Sequence, residues 1–307
     1  MLDPERIQKR LERALAGREL ADIFPRSKGI AGLDAGVSFI IEHAQSAVRK
    51  IRAQEQPLAE ELAALELGIR LARPAIRVVN GRLGENPALK LTPQEHAAVE
   101  AMLPGIALIE LRSQGIATGW QVSRRVLATN RHVSQYLLQH AALERGEASA
   151  GFDADGRPRR APSIPIKKVL ASHPTYDIAF LEMEGDGPLE RGLPMARTPE
   201  LHPGAEVVVI GHPTSATDAT YFARAIFGQE PYVKRASPGE ILSIKDMELQ
   251  HDCSTLRGNS GSPVIDCRTG QIVAIHTSAA PSHWNAGVST SAIHADNTLQ
   301  ELVMAWT

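Results

Sequence analysis

Arg257-Gly258-Asn259-Ser260-Gly261-Ser262-Pro263-Val264 sets one serine among residues too small to shield it, with Pro263-Val264-Ile265 continuing as the start of an apolar strand. Such a composition suits a reactive hydroxyl. For the amides of Gly258 and Ser260 to converge on one oxygen, no side chain can obstruct the turn at Gly258, so glycine there permits an oxyanion hole. A hydrolase elbow of the Gly-x-Ser-x-Gly kind would need glycine where Ser262 stands and a helix where Pro263–Ile265 reads as a strand.

Two further motifs precede it. Val126-Leu127-Ala128-Thr129-Asn130-Arg131-His132-Val133 places a histidine directly after a strand, and His173-Pro174-Thr175-Tyr176-Asp177-Ile178-Ala179-Phe180-Leu181 places a carboxylate at the mouth of another. Alone, such a histidine is more often a structural residue and such an aspartate a turn cap. In the order His132, Asp177, Ser260 they supply a general base, a group to orient its imidazole and a nucleophile.

All three lie in a stretch patterned as β structure. Short apolar runs at 106–111, 121–128, 164–170, 178–183, 207–211, 263–265 and 271–276 alternate with Gly, Pro and Ser turns. Glu144–Ser163 reads as a surface loop, and its Asp153-Ala154-Asp155-Gly156 as a plain turn rather than a calcium loop. The first hundred residues read as helical instead. Pro4 opens a helix with Ile7, Leu11 and Leu15 on one face and Gly17 as its stop; Asp34 precedes an apolar stripe through Val48; Leu62, Leu65 and Ile69 form a third. Thr92-Pro93-Gln94-Glu95 has the capping-box arrangement, and Leu299, Leu302, Val303 and Trp306 mark a C-terminal helix.

The chain has 307 residues, with 33 basic against 35 acidic side chains and a formal charge of −2. No overall field would hold it on nucleic acid or an anionic membrane. Its charged start and its short apolar runs are read as those of a cytoplasmic chain that is neither exported nor membrane-spanning. Cys253 and Cys267 are too few for a disulfide framework and are expected as two buried thiols. His96, His140, His202, His212 and His251 form no metal-ligand pattern, so no metal or cofactor is expected.

Thr129-Asn130-Arg131-His132-Val133, Tyr176-Asp177-Ile178-Ala179 and Gly258-Asn259-Ser260-Gly261-Ser262-Pro263 resemble the three signatures of bacterial trypsin-like serine peptidases, nearest the glutamyl endopeptidase branch. The resemblance covers 106–307. It implies a mainly β fold of two six-stranded antiparallel barrels with a C-terminal helix, a catalytic triad of His132, Asp177 and Ser260, and an oxyanion hole from Gly258 and Ser260. It also implies that Thr255 and His276 contact the substrate, since a hydroxyl and an imidazole at matching positions hold a substrate carboxylate in that branch. The expected function is a serine endopeptidase acting on protein or peptide substrates through an acyl-enzyme; the alternative is a catalytically silent binding module that keeps the fold. The residue before the nucleophile is the neutral Asn259, so the aspartate-to-new-N-terminus switch of animal trypsins cannot operate here. Residues 1–105 are expected to form a helical regulatory or docking region that restrains the protease or binds a protein partner. That part resembles intracellular bacterial trypsin-like proteins, some linked to antiphage or cell-death modules, which implies a defence or signalling context.

Overall fold

The computed structural model describes residues 4–23, 33–84, 89, 91–152, 163–213, 221–279 and 284–304. Four helices open the chain: α1 (Pro4–Leu15), α2 (Leu20–Ile23), α3 (Leu33–Arg52) and α4 (Ala59–Ala72). Ile7, Leu11, Ala44, Ala47, Leu65 and Ile69 form their shared core, which is what amphipathic stripes at three- and four-residue spacing require. Gly17 follows α1 at φ +88°, a conformation that suits glycine. The helices do not stand apart. Ile226 and Phe227, from a helix described below, complete the same core.

The expectation that the first hundred residues are helical fails at two short strands, β1 (Ile76–Val79) and β2 (Arg82–Leu83). Ile76 and Val78 are buried on one face of a β-branched run just after Pro74, a period-2 pattern too short to stand out from the helical stripes before it. Helix α5 (Pro93–Met102) begins as expected: the Glu95 amide donates to Thr92 Oγ1 at 3.3 Å and the Thr92 amide to Glu95 Oε2 at 2.8 Å.

A first closed barrel follows, with strand order β3-β4-β5-β8-β7-β6. Its members are β3 (Ile106–Leu111), β4 (Gln114–Ser123), β5 (Val126–Thr129), β6 (Ala148–Phe152), β7 (Ser163–Ser172) and β8 (Ala179–Met183), with α6 (Arg131–Gln139) between β5 and β6. The run 121–128, expected as one strand, is the end of β4, an exposed turn at Arg124-Arg125 and most of β5, because the two arginines interrupt the apolar run and pair with Asp186 outside. Likewise, the expected loop at 144–163 contains β6. Its inward Ala148 and Ala150 are too small to advertise a buried face. The Asp153–Gly156 turn lies outside the described residues.

The second barrel comprises β9 (Glu206–Gly211), β10 (Arg235–Lys245), β11 (Glu248–His251), β12 (Pro263–Asp266), β13 (Ile272–Ala279) and β14 (Asn285–Ser289), with α7 (Tyr221–Phe227) before β10. It closes because β10 pairs with β9 through its first half and with β11 through its second. β1 pairs with β10 as well, Ile76 opposite Ala236. β10 carries Pro238 and Gly239, residues that argue against a strand in sequence. Helices α8 (Ser291–Ala295) and α9 (Asn297–Met304) are the last described elements, and Trp306, expected on the C-terminal helix, lies outside the described residues.

The continuous apolar runs of the seam strands follow from this geometry. In β8, Leu181 fills the first barrel and Phe180 the space between barrels; in β9, Val207 and Val209 fill the second barrel, whereas Val208 and Ile210 face the seam. Both faces are buried, so the alternation is apolar with apolar.

Candidate active site

β5 ends at Thr129, and the chain turns through Asn130 into the first turn of α6, which presents His132. His132 Nδ1 lies 2.7 Å from Asp177 Oδ2, while the His132 backbone N–H donates to Asp177 Oδ1 at 2.9 Å. One carboxylate thus fixes both the ring and the backbone that carries it. The loop before β8 is itself held: Asn130 Nδ2 donates to the Asp177 carbonyl at 2.9 Å, and the Arg131 guanidinium donates to the carbonyls of His173 and Pro174 at 3.0 and 2.7 Å. The amides of Thr175 and Tyr176 donate to His173 Nδ1. Burial pushes the Asp177 carboxyl up, but hydrogen bonds from the His132 ring and amide outweigh it and leave the group below its ordinary value. An ionised Asp177 keeps the imidazole proton on Nδ1 and the lone pair on Nε2, free to accept.

Ser260 lies on the second barrel, at the end of the turn before β12. Gly258 is at φ +93° and Gly261 at φ +83°, both in the region that favours glycine. The Thr118 hydroxyl of β4 donates to the Gly258 carbonyl at 2.8 Å, and the Thr118 amide donates to the Ser260 carbonyl at 2.9 Å. A Cβ at Gly261 would come within 2.2 Å of the Thr118 carbonyl, so this close approach admits only glycine. The Asn259 carbonyl accepts from the Ser262 amide at 2.9 Å, which turns the opposite end of that peptide, the Ser260 N–H, away. Among the described residues, neither the Gly258 nor the Ser260 amide has an acceptor.

His276 on β13 is laddered to the same turn. Its carbonyl accepts from the Gly261 amide at 3.0 Å and its amide donates to the Ser262 carbonyl at 2.8 Å. The ring is buried, with Nδ1 3.2 Å from His251 Nε2. Burial, then proximity to His251, holds His276 well below the usual imidazole range; burial likewise takes His251 down to about 4. Both rings are therefore neutral at pH 7. Thr255 is buried too, and its Oγ1 has no partner among the described residues. Thr255 and His276 share no hydrogen bond among those residues.

Of the three motif residues, the structure hydrogen-bonds His132 to Asp177 and ties the Ser260 backbone to the first barrel through Thr118, whereas no hydrogen bond joins His132 to Ser260 among the described residues. Thr118, Asn130, Arg131 and His251 were not anticipated as supporting residues. Asn130 and Arg131 carry a sequence signal in that they directly precede His132, whereas His251, which belongs to no metal-ligand pattern, carries none. The thiols of Cys253 and Cys267 are buried and unpaired. Among the described residues no cluster of His, Cys, Asp or Glu could hold a metal ion, and no helix is long and apolar enough to cross a membrane.

The model of the trypsin-like peptidase domain matches residues 117–275, just over half of the chain. Glutamyl endopeptidases of Staphylococcus aureus strains MRSA252 and MW2 are each 24% identical over 179 residues, 56% of this chain and 45% and 50% of their own. The chain thus spans about half the length of these curated relatives. A solved Glu endopeptidase in complex with MPD superposes with a TM-score of 0.52 at 16% identity, over 76% of this chain and 97% of that one, a likeness of fold.

Proposed function

This chain belongs to the trypsin-like peptidase family, and from that premise we propose that it is a serine endopeptidase that cleaves protein or peptide substrates by the triad His132, Asp177 and Ser260. The observation that carries the reading is the double grip of Asp177 on the His132 ring and amide, at 2.7 and 2.9 Å. In this reading Ser260 Oγ attacks the scissile carbonyl carbon and its proton passes to His132 Nε2. Asp177 stabilises the imidazolium, while the free amides of Gly258 and Ser260 donate to the oxyanion. Collapse breaks the C–N bond, and His132 returns the proton to the departing amine. The acyl-enzyme ester is then hydrolysed by water, with His132 again as base, which regenerates the Ser260 hydroxyl and releases the acid.

For specificity we propose an acidic side chain before the scissile bond, held by Thr255 and His276. The orphaned Thr255 hydroxyl supports it as a polar group without a partner among the described residues, and the neutral His276 ring adds no fixed negative charge that would repel a carboxylate. Two buried unpaired thiols agree with an intracellular place of action, and the helical third is proposed to direct or restrain the enzyme. The test is an unbiased cleavage-site profile of the purified chain beside Ser260→Ala and His132→Ala. Hydrolysis should fall by several orders of magnitude in both variants, with cleavage after Glu favoured over Gln, Leu and Lys. Near-wild-type turnover in either variant, with contaminating protease excluded, rejects the triad; a preference for Lys or Arg rejects the acidic pocket.

A further inference from the structure

Thr255, proposed above to contact the substrate, lies three residues after a buried carboxylate. Asp252 follows His251, the partner of His276, and precedes Cys253-Ser254-Thr255; its side chain has no exposed surface. Asp252 Oδ1 accepts from the Glu240 amide at 2.6 Å, which leaves Oδ2 to face the helical layer. There Oδ2 accepts from Arg10 of α1, Nη2 at 2.7 Å and Nε at 3.0 Å, and from Arg73 Nη2, just past α4, at 2.7 Å.

The surrounding groups complete a closed set. Arg10 forks onto Glu66 at 2.6 and 2.9 Å, Arg73 reaches Glu240 Oε1 at 3.4 Å, and Arg13 pairs with Glu240 Oε2. Three guanidiniums, all from the first 73 residues, balance three carboxylates, two of which lie on the second barrel or just after β11. The attachment is not only ionic. Leu256, next to Thr255 and two residues before Gly258, packs against the apolar core of α1, α3 and α4.

We infer that Arg10 and Arg73 are positioning residues for the substrate pocket, so that the helical layer forms part of the enzyme's binding apparatus rather than an appendage to it. The physical reason is the cost of a buried charge. Inside a protein, a carboxylate that loses one of its two cations is left undercompensated unless it takes a proton or moves to water. Asp252 is continuous with His251 on one side and Cys253–Thr255 on the other, so a backbone shift that relieves the charge displaces the His251–His276 pair and the Thr255 hydroxyl together. This inference rests on the functional reading above.

The test uses the full chain. Arg10→Met and Arg73→Met should each raise KM for the best peptide substrate by about tenfold, more than they lower kcat, while Ser260 still accepts a fluorophosphonate. Adding Asp252→Asn to Arg73→Met restores charge balance, since Arg10 keeps Glu66 and Arg13 keeps Glu240; KM should return to within about threefold of wild type. If a methionine variant does not fold, Arg10→Lys and Arg73→Lys, which keep the charge and lose the fork, carry the comparison with an expected KM rise of several-fold. A labelled, active wild type whose arginine variants keep their KM, or whose defect the Asp252→Asn change does not relieve, overturns the inference alone. A wild type that neither labels nor cleaves removes the functional reading, and this inference with it.

Discussion

The Thr118 hydroxyl of the first barrel donates to the Gly258 carbonyl of the second at 2.8 Å. That hydroxyl also accepts from the His212 amide at 3.0 Å, so one side chain joins β4, the residue just after β9 and the nucleophile turn. Thr118→Val keeps the shape and leaves both groups buried without a partner. We expect a stability loss of roughly 1–3 kcal/mol, the usual cost of such an orphan, and a fall in kcat of about tenfold or more as the Gly258 and Ser260 amides lose their aim. Thermal unfolding and steady-state kinetics on one preparation check both; an unchanged kcat would mean that the turn keeps its shape without Thr118.

Asp177→Asn tests the orienting role of the carboxylate. The amide can still accept at one position, but it favours the wrong imidazole tautomer, so kcat should fall on the order of 10⁴-fold with little change in fold. Circular dichroism beside kcat would show it, and activity untouched by the change would move the role to another carboxylate.

Substrate charge should couple to pH through His276. The ring is neutral because burial and His251 hold its pKa down, and a bound carboxylate favours the protonated form. Binding an acidic side chain therefore becomes more favourable as pH falls. The ratio of kcat/KM for matched Glu and Gln peptides should rise from pH 8 to pH 6, a range in which the substrate stays ionised and effects common to both peptides cancel. A flat ratio, or an equal rise in His276→Gln, would take His276 out of the pocket.

Stability should also depend on pH. Burial depresses His212, His251 and His276 below the ordinary 6.5, with His251 at about 4. Below 6.5 the unfolded chain takes a proton on each ring and the folded chain refuses it. Stability is thus complete above about 6.5 and is lost as pH falls toward the folded values, by roughly 1.4 kcal/mol per pH unit for each histidine. Denaturant midpoints between pH 7.5 and 5 should fall steadily; a constant midpoint would mean that the rings are not buried as neutral groups.

The sequence disclosed most where chemistry and burial leave a local mark. Ile106–Leu111 and Pro263–Ile265 stood out because seam strands are apolar on both faces, and the Ser260 turn because glycines must occupy its positive-φ positions. It disclosed least where the reason for a residue lies across space. β10 hides behind Pro238 and Gly239, and the glycine is needed because a Cβ there would sit 2.5 Å from the Cys253 amide nitrogen. β6 hides behind alanines. Arg10 and Asp252 are 242 positions apart, and nothing local to either suggests the other.

The most direct test of the central claim is stoichiometric labelling of the full chain with a fluorophosphonate, mapped by peptide mass spectrometry. The triad reading predicts about one label per chain, confined to Ser260, abolished by Ser260→Ala and slowed by orders of magnitude in His132→Ala. A chain that stays unlabelled while folded, or that carries its label on another serine, would contradict it.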